Sequence, residues 1–282
     1  MTYSLNELYN IVGLSKQAVH QYERRQLVFE QRVELLLSEV EELRRSHPGC
    51  GLEKMYGVLQ PDFLGRDRFV SLLKSLGYQL SKRPNYQRTT RSVKQRYANL
   101  IQGLHLDSPC IVWQSDITYI LVQGRYYYAV FIIDVYTKII VGYRVSDHMR
   151  ASANVAALRD AISQYGAPCY HHSDHGSQYG YSGYVKLLSQ YRVKISRADR
   201  APDNAYAERI NRTIKEEYLN HWQPQSYDQL KKMMARAVKH YNQERHHRSL
   251  GKISPVRFAQ YWANLTVDQR PKEIIFRNES LT

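Results

Sequence analysis

Residues 111–145 read IVWQSDITYILVQGRYYYAVFIIDVYTKIIVGYRV, and this stretch decides the fold class. It is dense in Ile, Val, Tyr and Phe, residues that suit a pleated, half-buried surface. Two short breaks, Gln123-Gly124-Arg125 and Thr137-Lys138, divide it into runs at 111–122, 126–136 and 138–145. Breaks that short join neighbouring strands, so the runs predict an antiparallel meander. Downstream the period changes. Val155, Leu158 and Ile162 share a helical face over 152–165. A short strand at 169–174, a helix over 181–191, a strand at 193–196 and a long helix from about Asn204 to Trp222 follow. Three antiparallel strands and then alternating helix and strand predict an α/β domain: a mixed five-stranded sheet with flanking helices.

Outside this core the chain reads as helical and basic. Leu5, Leu8 and Val12, a break at Gly13, and a second helix capped by Ser15 with Val19 and Tyr22 make a helix-turn-helix pattern. An amphipathic helix over 30–46 carries Val33, Leu36, Val40 and Leu43, and two short helices at about 52–60 and 66–76 are broken by Pro61. The stretch 81–97 has no apolar period and reads as a basic linker. A helix over 227–243 precedes a basic tail. The expected division is 1–46 (helix-turn-helix and helix), 47–80 (second helix-turn-helix), 81–106 (basic linker), 107–222 (α/β core) and 223–282 (basic C-terminal helix and tail).

The 282 residues carry 40 Lys+Arg against 26 Asp+Glu, a net charge of +14. Such an excess favours a polyanionic partner, most often nucleic acid. Eight basic residues and no acidic one lie between Arg68 and Leu106, among them Lys82, Arg83, Arg88 and Arg91. Eight more, including Arg245 and Arg248, lie between Lys231 and Arg257 with Glu244 as the one acid. Two basic flanks around a balanced middle predict a core that grips DNA from both sides. Three dispersed cysteines exclude a disulfide framework and a Cys-rich zinc module. No apolar run approaches the ~18–20 residues that span a membrane. MTYSLNELYN lacks a basic segment ahead of an apolar one, so no signal peptide is expected.

Three carboxylates stand out by position. Asp116 lies inside the first core strand, Asp174 at the end of the fourth and Glu208 on the long helix. In one mixed sheet these positions can converge. Clustered carboxylates need a cation or a shared proton. Oxygen-only donors suit Mg²⁺, with Mn²⁺ as substitute. A pair of such ions serves the attacking and leaving oxygens of a phosphodiester. Arg212 and Lys215 share a face with Glu208 at i+4 and i+7, where cations suit DNA phosphates. Asn204 and Asn211 stand on the same face, to bond substrate or orient a carboxylate. His171, His172 and His175 crowd Asp174 without a second His or Cys pair at zinc-ligand spacing; His172 or His175 is expected to line the site.

WQSDITYI, DVYTKIIVGYRV, HSDHGSQYG and SRADRAPDNAYAERINRTIKEE resemble the ordered blocks of a DDE transposase with a retroviral-integrase-like core, and above all the second-frame product of the insertion sequence 3 family. HPGCGLEKMYGVL and YNQERHHRSLGKISPVRFAQY resemble the helix-turn-helix and closing motif of the same proteins. The resemblance implies a ribonuclease H-like core in which Asp116, Asp174 and Glu208 bind two metal ions. It implies strand cleavage and strand transfer at the ends of an insertion sequence, by a copy-out route through a circular intermediate. It places Lys215 beside the scissile phosphate. The implied partners are terminal inverted repeats, target DNA, a second copy of the chain and an upstream-frame helix-turn-helix and zipper segment, in a cytoplasmic setting at the nucleoid. The 33 residues between Asp174 and Glu208 are slightly fewer than the family's usual spacing, and a shorter loop near Arg192-Val193 accounts for this. The alternatives are a domesticated DNA-binding regulator and a nuclease of RNA–DNA hybrids; intact carboxylates argue against the first and the basic flanks against the second.

Overall fold

The computed structural model describes residues 9, 11, 13, 15–80 and 97–276. Two compact units make up the chain: Met1–Ser46 with Gly51–Gln79, and His47–Cys50 with Leu80–Thr282.

Among the described residues the first unit is all-helical. Helix α1 runs unbroken over Lys16–Ser46, followed by α2 (Leu52–Leu59) and α3 (Arg66–Ser75). Ser15 accepts from the backbone of Ala18 at 3.1 Å, as an N-cap does. The two helices expected after Ser15 are one, because no Gly or Pro interrupts residues 16–46. Leu36 and Val40 of α1, Leu52 and Met55 of α2, and Phe69 and Leu73 of α3 are buried. The expected first helix around Leu5, Leu8 and Val12 lies outside the described residues, as do Lys82, Arg83, Arg88 and Arg91 of the linker.

The second unit holds the sheet. Strand β1 (His105–Leu106) is short; β2 (Val112–Val122), β3 (Arg125–Asp134) and β4 (Ile140–Ser146) form the antiparallel meander. Helix α4 (Ala151–Tyr165), β5 (Tyr170–Ser173), α5 (Ser182–Gln190) and β6 (Lys194–Arg197) follow. The sheet order is β4-β3-β2-β5-β6, with β5 and β6 parallel to β2. This is the mixed five-stranded, ribonuclease H-like arrangement. Gln123 and Gly124 both take positive φ (48° and 75°), as a two-residue hairpin matched to strand twist requires. The second turn is held by Asp134: its carboxylate accepts from Thr137 N and Oγ1 (2.7 and 2.8 Å) and from Cys110 N (2.6 Å).

Side chains alternate across the sheet. Ala129, Phe131 and Ile133 of β3 face a core shared with α6 (Ala205–Ile214) and α7 (Tyr227–Gln243), through Ile210, Ile214, Met234 and Tyr241. Val130 and Ile132 face the other way, onto Ala157, Leu158 and Ala161 of α4 and Leu188 of α5. Each large apolar side chain so buried contributes about 1.5–3 kcal/mol. The long helix is continuous in path but not in type. After Ile214 it becomes a π-helix over Lys215–Leu219 and ends at Asn220–Trp222. The Glu217 carbonyl in that wide turn accepts from the backbone N–H of Gly49 at 2.8 Å.

The C-terminal region is more than a basic tail. Helix α8 (Pro255–Ala263) is capped by Ser254 with Pro at its first position, and β7 (Glu273–Ile274) pairs with β1. Leu250, Phe258 and Ile275 pack with Ile101, Leu106, Val112 and Val135 in a third core. The apolar residues here are too sparse to reveal a core by periodicity, and the partner segment is about 150 residues away.

Candidate active site

The parallel register of β2 with β5 builds the site. Ser115 pairs with Ser173, the last residue of β5, so Asp116 and Asp174 each come directly after a paired residue of two adjacent strands. Adjacent strands lie about 4.8 Å apart. The next residues of the chain after β5 leave the sheet, and Asp174 Oδ1 accepts from Gly176 N at 3.0 Å. Beneath it lies Arg197, on the neighbouring strand β6 and 4% exposed. Its guanidinium donates to the Asp174 carbonyl at 2.8 Å and to Ser173 Oγ. The rings of Tyr97 and Tyr179 cover it, at 5.8 and 5.5 Å. Sequence reasoning passed over Arg197, whose signal was its place in the SRADR block directly after an apolar strand.

Two residues of β2 then set the helix. Gln114 donates to the Asp203 carbonyl (3.2 Å) and accepts from Tyr206 N (3.1 Å). Asn204 donates to the Ser115 carbonyl at 3.1 Å. The start of α6 is thereby fixed against the strand that carries Asp116. One turn later comes Glu208, exposed on the helix and within electrostatic reach of Asp116 and Asp174, and Asn211 donates to Asp116 Oδ2 at 2.7 Å.

The electrostatics follow from this convergence. Asp116 is pushed up to about 8, by burial first, then by Asp174 and, more weakly, Glu208; the Ile117 N–H and Asn211 oppose the shift. Glu208 is raised by burial, with Asp174 adding and Arg212 opposing. Lys215 is lowered by burial, with the Asp116 charge opposing. Acids from three elements therefore share one field. They do not stand at direct-ligand spacing: among the described residues, the one set of three or more His, Cys, Asp or Glu donors within 4.8 Å of one another is a different set, His47, His240 and Glu244. Repulsion between like charges opposes a closer approach of the acids.

Several expected contacts are otherwise engaged. Asn204 is 3% exposed and bound to Ser115, so it is a structural bond and not a DNA contact. Asn211 orients Asp116. Arg245 makes a two-pronged ion pair with Glu217 (2.7 and 2.8 Å), and both side chains are largely buried, so its guanidinium is not offered to phosphate. His171 and His172 are core residues, bonded to Tyr184 Oη and Ser196 Oγ at 2.8 Å each; neither is open to a ligand, because both are fully buried on an interior strand. Arg212 and Arg248 are exposed.

Models of the integrase core domain match residues 106–201 and 189–255. The chain is 33% identical over 205 residues to a 31 kDa protein of insertion element IS600 from Shigella sonnei, a match covering 70% of this chain and 75% of that one. It is 30% identical over 187 residues to the transposase of insertion sequence element IS904 from Lactococcus lactis, covering 64% and 73%. The chain belongs to the integrase-core transposases of insertion elements. This transposase is also 28% identical to that of element IS629 from Shigella sonnei, over 84% of its own length. A solved structure of the HTLV-2 integrase catalytic core in complex with magnesium is similar to the transposase over 57% of its length and 99% of that chain, with 18% identity and a TM-score of 0.46. The transposase is a DNA-acting polynucleotidyl transferase. Among its described residues no helix is long and apolar enough to cross a membrane.

Proposed function

We propose that Asp116, Asp174 and Glu208 are the catalytic carboxylates of this transposase, cutting one strand at an insertion-sequence end and joining the freed 3′-hydroxyl to a second strand. The observation that carries this reading is the convergence of the acid-bearing elements: Ser115 pairs with Ser173 just before Asp116 and Asp174, and Asn211, three residues after Glu208, donates to Asp116 Oδ2; burial and both other acids raise the Asp116 carboxyl there. A proton on such a carboxyl is what a divalent cation would displace, and the oxygen-only donor set fits Mg²⁺ or Mn²⁺. Bound there, a pair of ions would stabilise charge on the attacking and leaving oxygens of the phosphodiester. The protein's own share is positional. Asn211 holds Asp116 Oδ2 in one orientation. Arg197 holds the chain at Asp174. Arg212 and Lys215, one and two turns along the helix from Glu208, offer cations to the phosphates flanking the cut. Arg248 offers a further exposed cation, and Lys82, Arg83, Arg88 and Arg91 are assigned to phosphate contacts from the basic composition of their segment alone.

The blocks WQSDITYI, HSDHGSQYG and PDNAYAE support a finer placement as the second-frame product of an insertion sequence 3 element. That placement entails an upstream-frame partner segment and at least a dimer, since two ends are joined.

Nicking of supercoiled plasmid in Mn²⁺ tests the reading, with wild type beside Asp116→Asn and Glu208→Gln. Metal-dependent nicking by the wild type alone is expected. Equal nicking by either variant would remove that acid from the mechanism.

A further inference from the structure

A second group of ligating side chains lies in the same unit as the sheet, and the carboxylate chemistry does not use it. His47 opens the HPGCG segment, and His240 and Glu244 lie at the C-terminal end of α7. Residues 240 and 244 are four apart, so they rise from one face of that helix end. One ligand atom from each of the three lies within 4.8 Å of the other two. His47 Nε2 and Glu244 Oε2 are 3.0 Å apart. Ligand atoms around a tetrahedral zinc are separated by roughly 3.3 Å, given bonds of about 2.0–2.1 Å. The group is therefore within a small closing movement of a coordination shell.

The surroundings suit it. His47 is buried, with its side chain 10% exposed, while that of Glu244 is 45% exposed, which leaves a path for an ion. The Nδ1 of His47 lies 3.1 Å from Tyr218 Oη, a partner that fixes the ring and leaves Nε2 directed at Glu244. His240 packs its ring 5.0 Å from that of His47, with Tyr218 and Trp222 edge-on at 6.3 and 6.1 Å.

We propose that His47, His240 and Glu244 form a binding site for a divalent transition-metal ion of the zinc class, which ties residues 47–50 to α7. Two imidazoles and a carboxylate suit zinc in preference to Mg²⁺, which takes oxygen donors and keeps its waters. The site is distinct in donor chemistry from the acids of the sheet. Its role is structural. The same segment supplies Gly49, whose N–H bonds the π-turn next to Lys215.

The test uses full-length protein carrying Asp116→Asn, Asp174→Asn and Glu208→Gln as parent, so that the sheet acids do not capture the probe. Zn²⁺ is titrated against a chelating dye, and the melting temperature is followed with Zn²⁺ and with Mg²⁺. The expected result is one Zn²⁺ per chain and a higher melting temperature with Zn²⁺ only. His240→Phe, which keeps a ring between Tyr218 and Trp222, is expected to abolish both effects. Glu244→Gln, close in shape, is expected to weaken binding by roughly 10-fold or more. In the parent, Co²⁺ is expected to give visible bands of a tetrahedral nitrogen and oxygen site, absent in His240→Phe. Failure of the parent to bind Zn²⁺, or binding unchanged in His240→Phe while that variant melts cooperatively, would overturn the proposal.

Discussion

Asn211 donates its side-chain amide to Oδ2 of Asp116 at 2.7 Å. The bond joins the middle of a central strand to the helix that presents Glu208 three residues earlier. It links two of the three acids through one polar contact. The Ile117 N–H and the Asn211 amide together favour the charged form of Asp116, against burial and the charges of Asp174 and Glu208.

Asn211→Ala is expected to lower cleavage by about 10–100-fold, the range for losing a group that orients a ligand. The loss is expected to be partly recovered at high Mn²⁺, because Asp116 itself remains. Titrating Mn²⁺ in the nicking assay checks this. An Asn211→Ala protein with wild-type metal dependence would show that the bond is only a packing contact.

Arg245 and Arg212 are expected to behave differently although both lie in basic segments. Arg245→Ala strands the largely buried carboxylate of Glu217 and is expected to cost about 3–5 kcal/mol in urea unfolding. Arg212→Ala is expected to change stability by less than about 0.5 kcal/mol. It is instead expected to reduce the salt dependence of DNA binding by about one counterion. Binding isotherms at several salt concentrations separate the two roles.

Gly49→Ala is expected to destabilise the core by about 3 kcal/mol. An added Cβ would sit 2.2 Å from Glu217 Cα and 2.8 Å from the Glu216 carbonyl oxygen, and neither is the end of a flexible side chain. Gly51→Ala, with nothing within 4 Å, is the control and is expected to be nearly neutral. Equal unfolding midpoints for the two would contradict the close approach of Gly49 to the π-turn.

Stability is expected to fall as pH drops from about 6.5 towards 4. Burial lowers His171 to about 3 and His172 to about 4, so in this window the unfolded chain takes up protons that the folded chain refuses. Each histidine contributes a slope of about 1.4 kcal/mol per pH unit. Asp116, raised to about 8, acts in the opposite sense: its folded form holds a proton the unfolded chain has released, a contribution lost as pH rises through about 8. Asp116→Asn is therefore expected to steepen the acid-side loss in metal-free buffer. Urea midpoints at a series of pH values measure both slopes.

The meander, the order of helices and strands after it, and the three acids were legible in the chain itself. Strand runs separated by breaks of two or three residues leave little choice of pairing, and Asp116, Asp174 and Glu208 sit in blocks whose order does not depend on the rest of the fold. Contacts between distant segments were not legible. That Asn204 and Arg245 are bound within the protein, that Arg197 holds the end of β5, and that residues 250–275 close a core over Leu106 depend on which groups meet across gaps of many residues. A local pattern reports a residue's own helix or strand and the face it occupies. Only packing decides whether a charge on that face meets water, a phosphate or a buried partner, because the cost of desolvation is set by neighbours from elsewhere in the chain.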